Sequence, residues 1–252
     1  YRKQTEVPKL IGSLMKDGVF PNKDGALTVW RFPEKDRPYV VFADVAEGLE
    51  HGDFSCAYVY DPWEKDFVAE WHGHIDPDLY ADELALLGRY YTGLENRPAL
   101  IGVESNNHGF TTLVSLRRRL LYPRVYMQRM YNKRDRQDTE KLGWRTDIGT
   151  KRFMLDLFAG AVRDGTVGIY GDGLLDECLT FLRDERGLGA AEPPNHDDRV
   201  LAASGCLAIS QDIPPRPAPV EERKWIVPTA QDYLEYRWGL REKYEKDEKH
   251  RL

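Results

Sequence analysis

The chain has 252 residues, 41% of them apolar, and a formal net charge of −6. That is enough apolar material for one sizeable core, while the acidic balance excludes a uniformly basic nucleic-acid binder and leaves any DNA contact to local patches or to cations bridging carboxylate and phosphate. Three dispersed cysteines, Cys56, Cys178 and Cys206, form neither a CxxC pattern nor a disulfide framework, and no apolar run reaches the roughly 20 residues of a membrane span, so the expectation is a soluble protein of a reducing compartment with no membrane association.

A start at Tyr1, with no leader-like apolar segment after it, is what an excised part of a longer protein would present. Residues 1–38 mix prolines with charges and read as a lead-in segment, in which LTVWRF at 27–32 is short enough for an edge strand. The pattern then changes. YVVFADVA at 39–46 is continuously apolar up to Asp44, as a strand buried on both faces would be. FSCAYVYD (54–61) and DFVAEWHGH (66–74) alternate around a short turn and read as a hairpin. Asp76 and Asp78 stand where a helix through 77–92 would be capped, and Leu79, Leu84, Leu86, Leu87 and Tyr90 supply its apolar stripe. ALIGVE (99–104) is a second buried strand, SNNHG its turn, 109–120 a helix and PRVYMQ a short strand. The alternation predicts an α/β fold whose sheet has parallel neighbours and right-handed crossovers.

The stretch 129–149 is polar and lacks apolar periodicity, which predicts a mobile or ligand-facing loop. Thr150 is the expected cap of a helix to about 164; a second helix is expected over 172–183, a Gly/Pro-rich loop or hairpin arm over 184–195, and a helix from Asp197-Asp198 to about 210. Beyond it lie a proline-rich linker (211–228) and a charged helix or tail (229–252), so that 39–210 is the expected principal domain.

Three acidic positions stand where apolar runs end or begin: Asp44, Glu104 and Asp197-Asp198. Each has a bland reading. A strand-end Asp is often a turn former, and acids opening a helix are favoured by capping and by the dipole. Glu104 is the hardest to dismiss, because SNNHG already supplies the turn. In combination, carboxylates converging from separate elements would repel one another without a compensating charge. Divalent cations supply it, and all-oxygen ligands select Mg²⁺ or Mn²⁺ over zinc. Two such ions about 3.5–4 Å apart serve phosphodiester hydrolysis.

The succession VVFADVAEG, a hairpin after Gly52-Asp53, IGVESNNHG, a helix led by Thr150-Lys151, and NHDDRVLA resembles the nuclease domain of the large terminase subunit of tailed bacteriophages, of the RNase H-like superfamily related to RuvC-type resolvases. It covers about 39–210, and His-Asp-Asp before an apolar helix is its most specific piece. The resemblance implies an RNase H-like fold, a mixed central sheet flanked by helices. It also implies a two-ion Mg²⁺ or Mn²⁺ endonuclease cutting double-stranded DNA during viral genome packaging in the host cytoplasm. Asp44, Glu104 and Asp198 would be its catalytic acids, with Asp197 as a metal-site neighbour. Relatives often carry Asp at the second position, so Glu104 is a longer ligand. His196 would orient water or contact phosphate, or serve structurally. The terminase ATPase domain, small subunit and portal are implied as partners, and the ATPase signature GxxxxGK[ST] does not occur in this chain.

Candidate DNA contacts are Lys133, Arg134, Arg136 and Lys141, then Lys151 and Arg152, then Arg183, Arg186 and Arg199; such cations position a phosphate backbone without reading sequence. Arg117, Arg118 and Arg119 read as surface charge, and Asn106, Asn107, His108 and Gly109 as the turn after Glu104. Two readings compete with the packaging nuclease: a RuvC-like Holliday-junction resolvase, which would dimerise symmetrically, and a non-cleaving module that docks on DNA or portal.

Overall fold

Val40, Val41, Phe42 and Ala43 are each 1% exposed or less, a burial that demands cover on both faces of their strand. The computed structural model that supplies this cover describes residues 2–3, 9–16, 18–49, 52–106, 108–132, 137–183, 189–191 and 195–217. Its strands are β1 (Arg2–Lys3), β2 (Leu10–Met15), β3 (Gly18–Pro21), β4 (Leu27–Val29), β5 (Val40–Asp44), β6 (Ser55–Asp61), β7 (Asp66–Gly73), β8 (Leu100–Val103), β9 (Met127–Asn132), β10 (Gln137–Leu142), β11 (Gly168–Ile169), β12 (Phe181–Arg183) and β13 (Gly189–Ala191). The helices are α1 (Pro77–Tyr90), α2 (Gly109–Val114, continued by a π turn over Ser115–Arg119), α3 (Ile148–Arg163), α4 (Asp172–Thr180) and α5 (Asp198–Ser210).

The central sheet runs β3-β2-β4-β7-β6-β5-β8, with β11 parallel to β7 and β1 parallel to β11. β5 and β8 are parallel neighbours, and β5, β6 and β7 pair antiparallel, so the sheet is mixed. Period-two alternation divides its side chains between two cores. Val41, Ala43, Ala57 and Val59 face Leu84, Leu87 and Leu113 of α1 and α2, whereas Val40, Phe42, Tyr58 and Tyr60 face Leu155, Phe158, Leu174, Val200 and Cys206 of α3, α4 and α5. Gly205 is what lets α5 lie against β5: a Cβ there would stand 2.2 Å from the Phe42 ring.

Four sequence expectations are corrected. Residues 10–29 are no mere lead-in; β2, β3 and β4 extend the sheet, and β4 lies inside it between β2 and β7 instead of at an edge. Leu27 and Val29 are 1% exposed, so their alternation answers to a covered face. Much of the predicted loop at 129–149 belongs to an antiparallel hairpin, β9–β10, whose described side chains at 138–141 are exposed; its buried position among the described side chains is the polar Gln128, so there is no apolar period to read. The cap of α3 is Asp147, which accepts from Gly149 and Thr150 N–H at 2.9 and 3.0 Å, while the Thr150 hydroxyl accepts from Asp147 N–H at 2.7 Å, a reciprocal capping box. Asp76 holds the N-cap position of α1 but makes no side-chain cap bond there. The predicted hairpin arm takes shape as the β12–β13 pair. Tyr1–Pro215 form one compact unit, and residues 218–252, with most of the expected linker and the terminal helix, lie outside the described residues. Among the described residues no helix is long and apolar enough to cross a membrane.

Candidate metal centre

β5 ends in Asp44 and the parallel β8 runs into Glu104, whose N–H donates to Ala43 O at 3.1 Å. Parallel strands end on the same side, so both carboxyls emerge at one sheet edge, the edge at which open α/β sheets place ligands. They meet there in hydrogen-bond contact. Gly109 allows the tight turn behind Glu104, because a Cβ would stand 1.8 Å from the Glu104 carbonyl oxygen. Asn106 steadies Glu104 by donating its amide to Oε1 at 3.0 Å and to the Thr146 carbonyl at 3.1 Å.

The third acid arrives from the other face. Asp198 opens α5, is 6% exposed, accepts a bond from Phe54 N–H, and keeps Oδ2 buried with no hydrogen-bond partner. Its carboxyl is pushed up to about 7 by burial first, then by the charges of Glu177, Asp53 and Asp197. Burial, followed by Glu104 and Asp198, pushes Asp44 well above the usual carboxylate range. Asp197 is raised too, again by burial, with Lys151 pulling the other way. Each shift has the same physical content: negative charge has been gathered where solvent screens it poorly.

Asp44, Glu104, Glu47, Asp53, Asn106 and His108 line an open cleft of about 550 Å³. His108 Nε2 lies 3.1 Å from Glu47 Oε1. His196 sits edge-on to Phe54 with centroids 5.4 Å apart, its Nδ1 3.8 Å from Asp53 and 3.9 Å from Asp198. Among the described residues no group of three or more His, Cys, Asp or Glu side chains is arranged to hold a metal ion.

No protein-family model matches the sequence, and neither does any curated protein. Solved structures do. The magnesium-bound large terminase nuclease from thermophilic phage G20c superposes with a TM-score of 0.56 at 15% identity, over 79% of this chain and 92% of that one. The large terminase nuclease domain of Thermus phage P74-26 gives 0.55 at 17%, over 80% and 90%. The human cytomegalovirus terminase nuclease domain, Mn soaked, gives 0.50 at 12%, over 71% and 85%. The fold is that of the terminase nucleases.

In this terminase-nuclease fold Asp44 and Glu104 are in contact, the charges of Asp198 and Asp197 act on Asp44, and the charge of Lys151 acts on Asp197. The other predicted cations divide. Lys141 is exposed on β10, and Arg152 is exposed with its Nε 3.7 Å from Asp156. Arg119 is held by Asp82 at 2.7 Å. Arg183 lies at the end of β12, away from the described acids in sequence and without a described side chain. Lys133, Arg134, Arg136 and Arg186 lie outside the described residues. Arg199 is a correction: its guanidinium is turned inward to Glu177 at 2.9 Å and Glu70 at 3.2 Å, where no phosphate backbone would meet it. Sequence reading missed Asp53, Glu70 and Glu177. Asp53 sits in turn-like HGD, and the two glutamates lie within an alternating strand and a helix stripe, so local pattern gave them no distinction.

Proposed function

We propose that this chain is a divalent-metal-dependent endonuclease that cuts double-stranded DNA during viral genome packaging, and that Asp44, Glu104 and Asp198 are its catalytic acids. What supports the reading is that the carboxyls ending β5 and β8, Asp44 and Glu104, line one open cleft, that the charge of Asp198 on α5 acts on Asp44, and that Asp198 Oδ2 is buried without a hydrogen-bond partner. Such an arrangement is costly in the protein alone. It suits hard cations, since the facing donors are carboxylate oxygens. Neighbours in fold space include nucleases solved with magnesium, cobalt and zinc or soaked with manganese, which supports a divalent metal here; the all-oxygen donors are what favour Mg²⁺ or Mn²⁺.

Asp44, Glu104 and Asp198, with Asp197 beside them, are the residues that would hold the metal, and we read the site as one for two ions. Bound there, the metal would neutralise the acids and supply the Lewis acidity that phosphodiester hydrolysis requires. The chain itself contributes geometry and charge. Asn106 fixes the direction of Glu104, and burial against the sheet fixes Asp198. Lys151, already acting on Asp197, is placed to receive a backbone phosphate. Lys133, Arg134 and Arg136, between β9 and β10, Arg183, at the end of β12, and Arg186, between β12 and β13, would extend that track. In this reading the protein works in the host cytoplasm with a terminase ATPase domain, a small terminase subunit and a portal.

Incubation of supercoiled plasmid with the protein and Mn²⁺ tests the proposal. Conversion to linear or fragmented DNA, abolished by EDTA and by Asp44→Asn, is the expected result; intact plasmid at every metal concentration would leave a docking module. A four-way junction cut in preference to linear duplex would favour the resolvase.

A further inference from the structure

A helix begins with N–H groups that have no partner within it, and an aspartate at the N-cap usually accepts from the second or third of them. At α5 the N-cap residue is Asp197, and its side chain makes no such bond. The N–H groups of Arg199 and Val200 donate instead to Glu177 Oε2, at 2.9 and 3.3 Å. Glu177 belongs to α4, 22 residues earlier than Arg199. Its second oxygen, Oε1, holds Arg199 Nη1 at 2.9 Å. Arg199 Nε reaches on to Glu70 Oε1 of β7 at 3.2 Å, and Glu70 also accepts from the Tyr58 hydroxyl of β6. Gly173 leaves the guanidinium its room, since a Cβ there would stand 2.8 Å from Nε.

The geometry points to Glu177 as a positioning residue: it caps α5 from α4, aims Asp198 at the cleft, and leaves Asp197 unspent on capping. This rests on the metal-nuclease reading above. Asp197 stands in the position from which an N-cap aspartate ordinarily serves its own helix. Bringing a carboxylate that is 6% exposed from another helix is expensive, and is offset only because it receives two N–H bonds and a guanidinium. The arrangement has a purpose if Asp197 is needed elsewhere. Tied through Arg199 and Glu70 to β6 and β7, the first turn of α5 is also held in register with the sheet that carries Asp44.

Two measurements on the full chain test this. In hydrogen exchange of the wild type, the Arg199 and Val200 amides should be protected like the interior of α5; exchange at the rate of open helix-start amides overturns the cap whatever any variant does. In Mn²⁺ titration calorimetry, Glu177→Ala should bind Mn²⁺ about 10–100-fold more weakly, the range typical for groups that orient metal ligands. Glu177→Gln, whose amide oxygen can still accept the two N–H bonds although its NH2 no longer pairs with Arg199, should recover part of that affinity, while DNA affinity without divalent metal stays at the wild-type value in both. Wild-type Mn²⁺ affinity in Glu177→Ala, or a Gln variant as weak as the Ala variant, overturns the assignment. Wild-type protein that binds no Mn²⁺ in the same titration overturns the metal reading itself, and the exchange result then decides the cap alone.

Discussion

The Asp44 and Glu104 carboxyls are in hydrogen-bond contact across the parallel β5–β8 pair. Two carboxylates meet this way only with a proton or a cation between them. One shared proton would leave the pair with a single negative charge, and a bound cation would take the proton's place between them. Asp44→Asn removes one negative charge while keeping the shape and a hydrogen bond to Glu104. Cleavage of supercoiled plasmid should therefore fall by more than about 100-fold, since altering groups that merely orient a ligand already costs 10–100-fold. The metal-free melting temperature should hold or rise, because a repulsion has been removed. Asp198→Asn should behave similarly and Asp197→Asn more mildly. Full activity in Asp44→Asn at an unchanged melting temperature would falsify its role.

Metal should also act as a stabiliser. An ion bound only by the folded state adds about 2.7 kcal/mol at a hundred times its Kd, which for a protein of this size corresponds to a rise of roughly 5–10 °C in Tm. Differential scanning calorimetry with Mn²⁺ or Mg²⁺ measures it. Asp44→Asn should lose most of the rise; an identical rise in both proteins would place the ion elsewhere.

The same acids set a pH dependence for the metal-free protein. Asp198 is raised to about 7 in the fold, against about 3.9 unfolded. Between those values the folded state binds more protons than the unfolded one, so stability falls as pH rises through the window. The penalty is absent below about 4 and complete above about 7. His72 works the other way: burial first, then Arg199, His196 and His74, lowers it to about 3, so its neutral burial favours folding increasingly as pH rises toward the unfolded value near 6.5. The clean observable is thus the difference between Asp198→Asn and wild type in EDTA. The variant's advantage in Tm should grow from pH 4 to pH 7 and level off above. A constant difference would mean that Asp198 titrates normally.

Much of the site was legible because its acids interrupt strong patterns. Asp44 ends a run of residues buried on both faces, Glu104 does the same one strand over, and Asp198 opens a helix whose 200, 202, 203, 206, 207 and 209 positions are all buried. Burial on both faces reads as a continuous apolar run, and a carboxylate at its end stands out. What stayed hidden has the opposite character. β9–β10 exposes residues 138–141, and its buried position among the described side chains is the polar Gln128, so no apolar periodicity marks it. β2 and β3 carry Met15 at 55% and Phe20 at 45% exposure, and their short runs among prolines resemble a linker until β4 and β7 provide a ladder. Glu177 and Glu70 matter through Arg199, 22 and 129 residues away from them. No local pattern reports an interaction of that span, and so Arg199 passed for a surface cation.

Lys133, Arg134 and Arg136 lie in the segment that joins β9 to β10, and the base of that hairpin is tied to the metal centre, with Trp144 N–H donating to Val103 O at 2.8 Å and Ser105 N–H to Trp144 O at 2.7 Å. A duplex held at the acids would run past that base. Every phosphate no longer neutralised by a side-chain cation should lower the slope of log affinity against log salt by about 0.9, so a triple change to Ala should flatten it by as much as about 2.7 and weaken binding at low salt. Sequence preference should not change, since interactions with the phosphate backbone carry none. The Mn²⁺-induced rise in Tm should stay at the wild-type value, because the acids belong to β5, β8 and α5. Fluorescence anisotropy across a salt series reads the slope directly. An unchanged slope would remove the hairpin from the DNA path and leave Lys151, with Arg183 and Arg186, as the track along which the backbone reaches the acids.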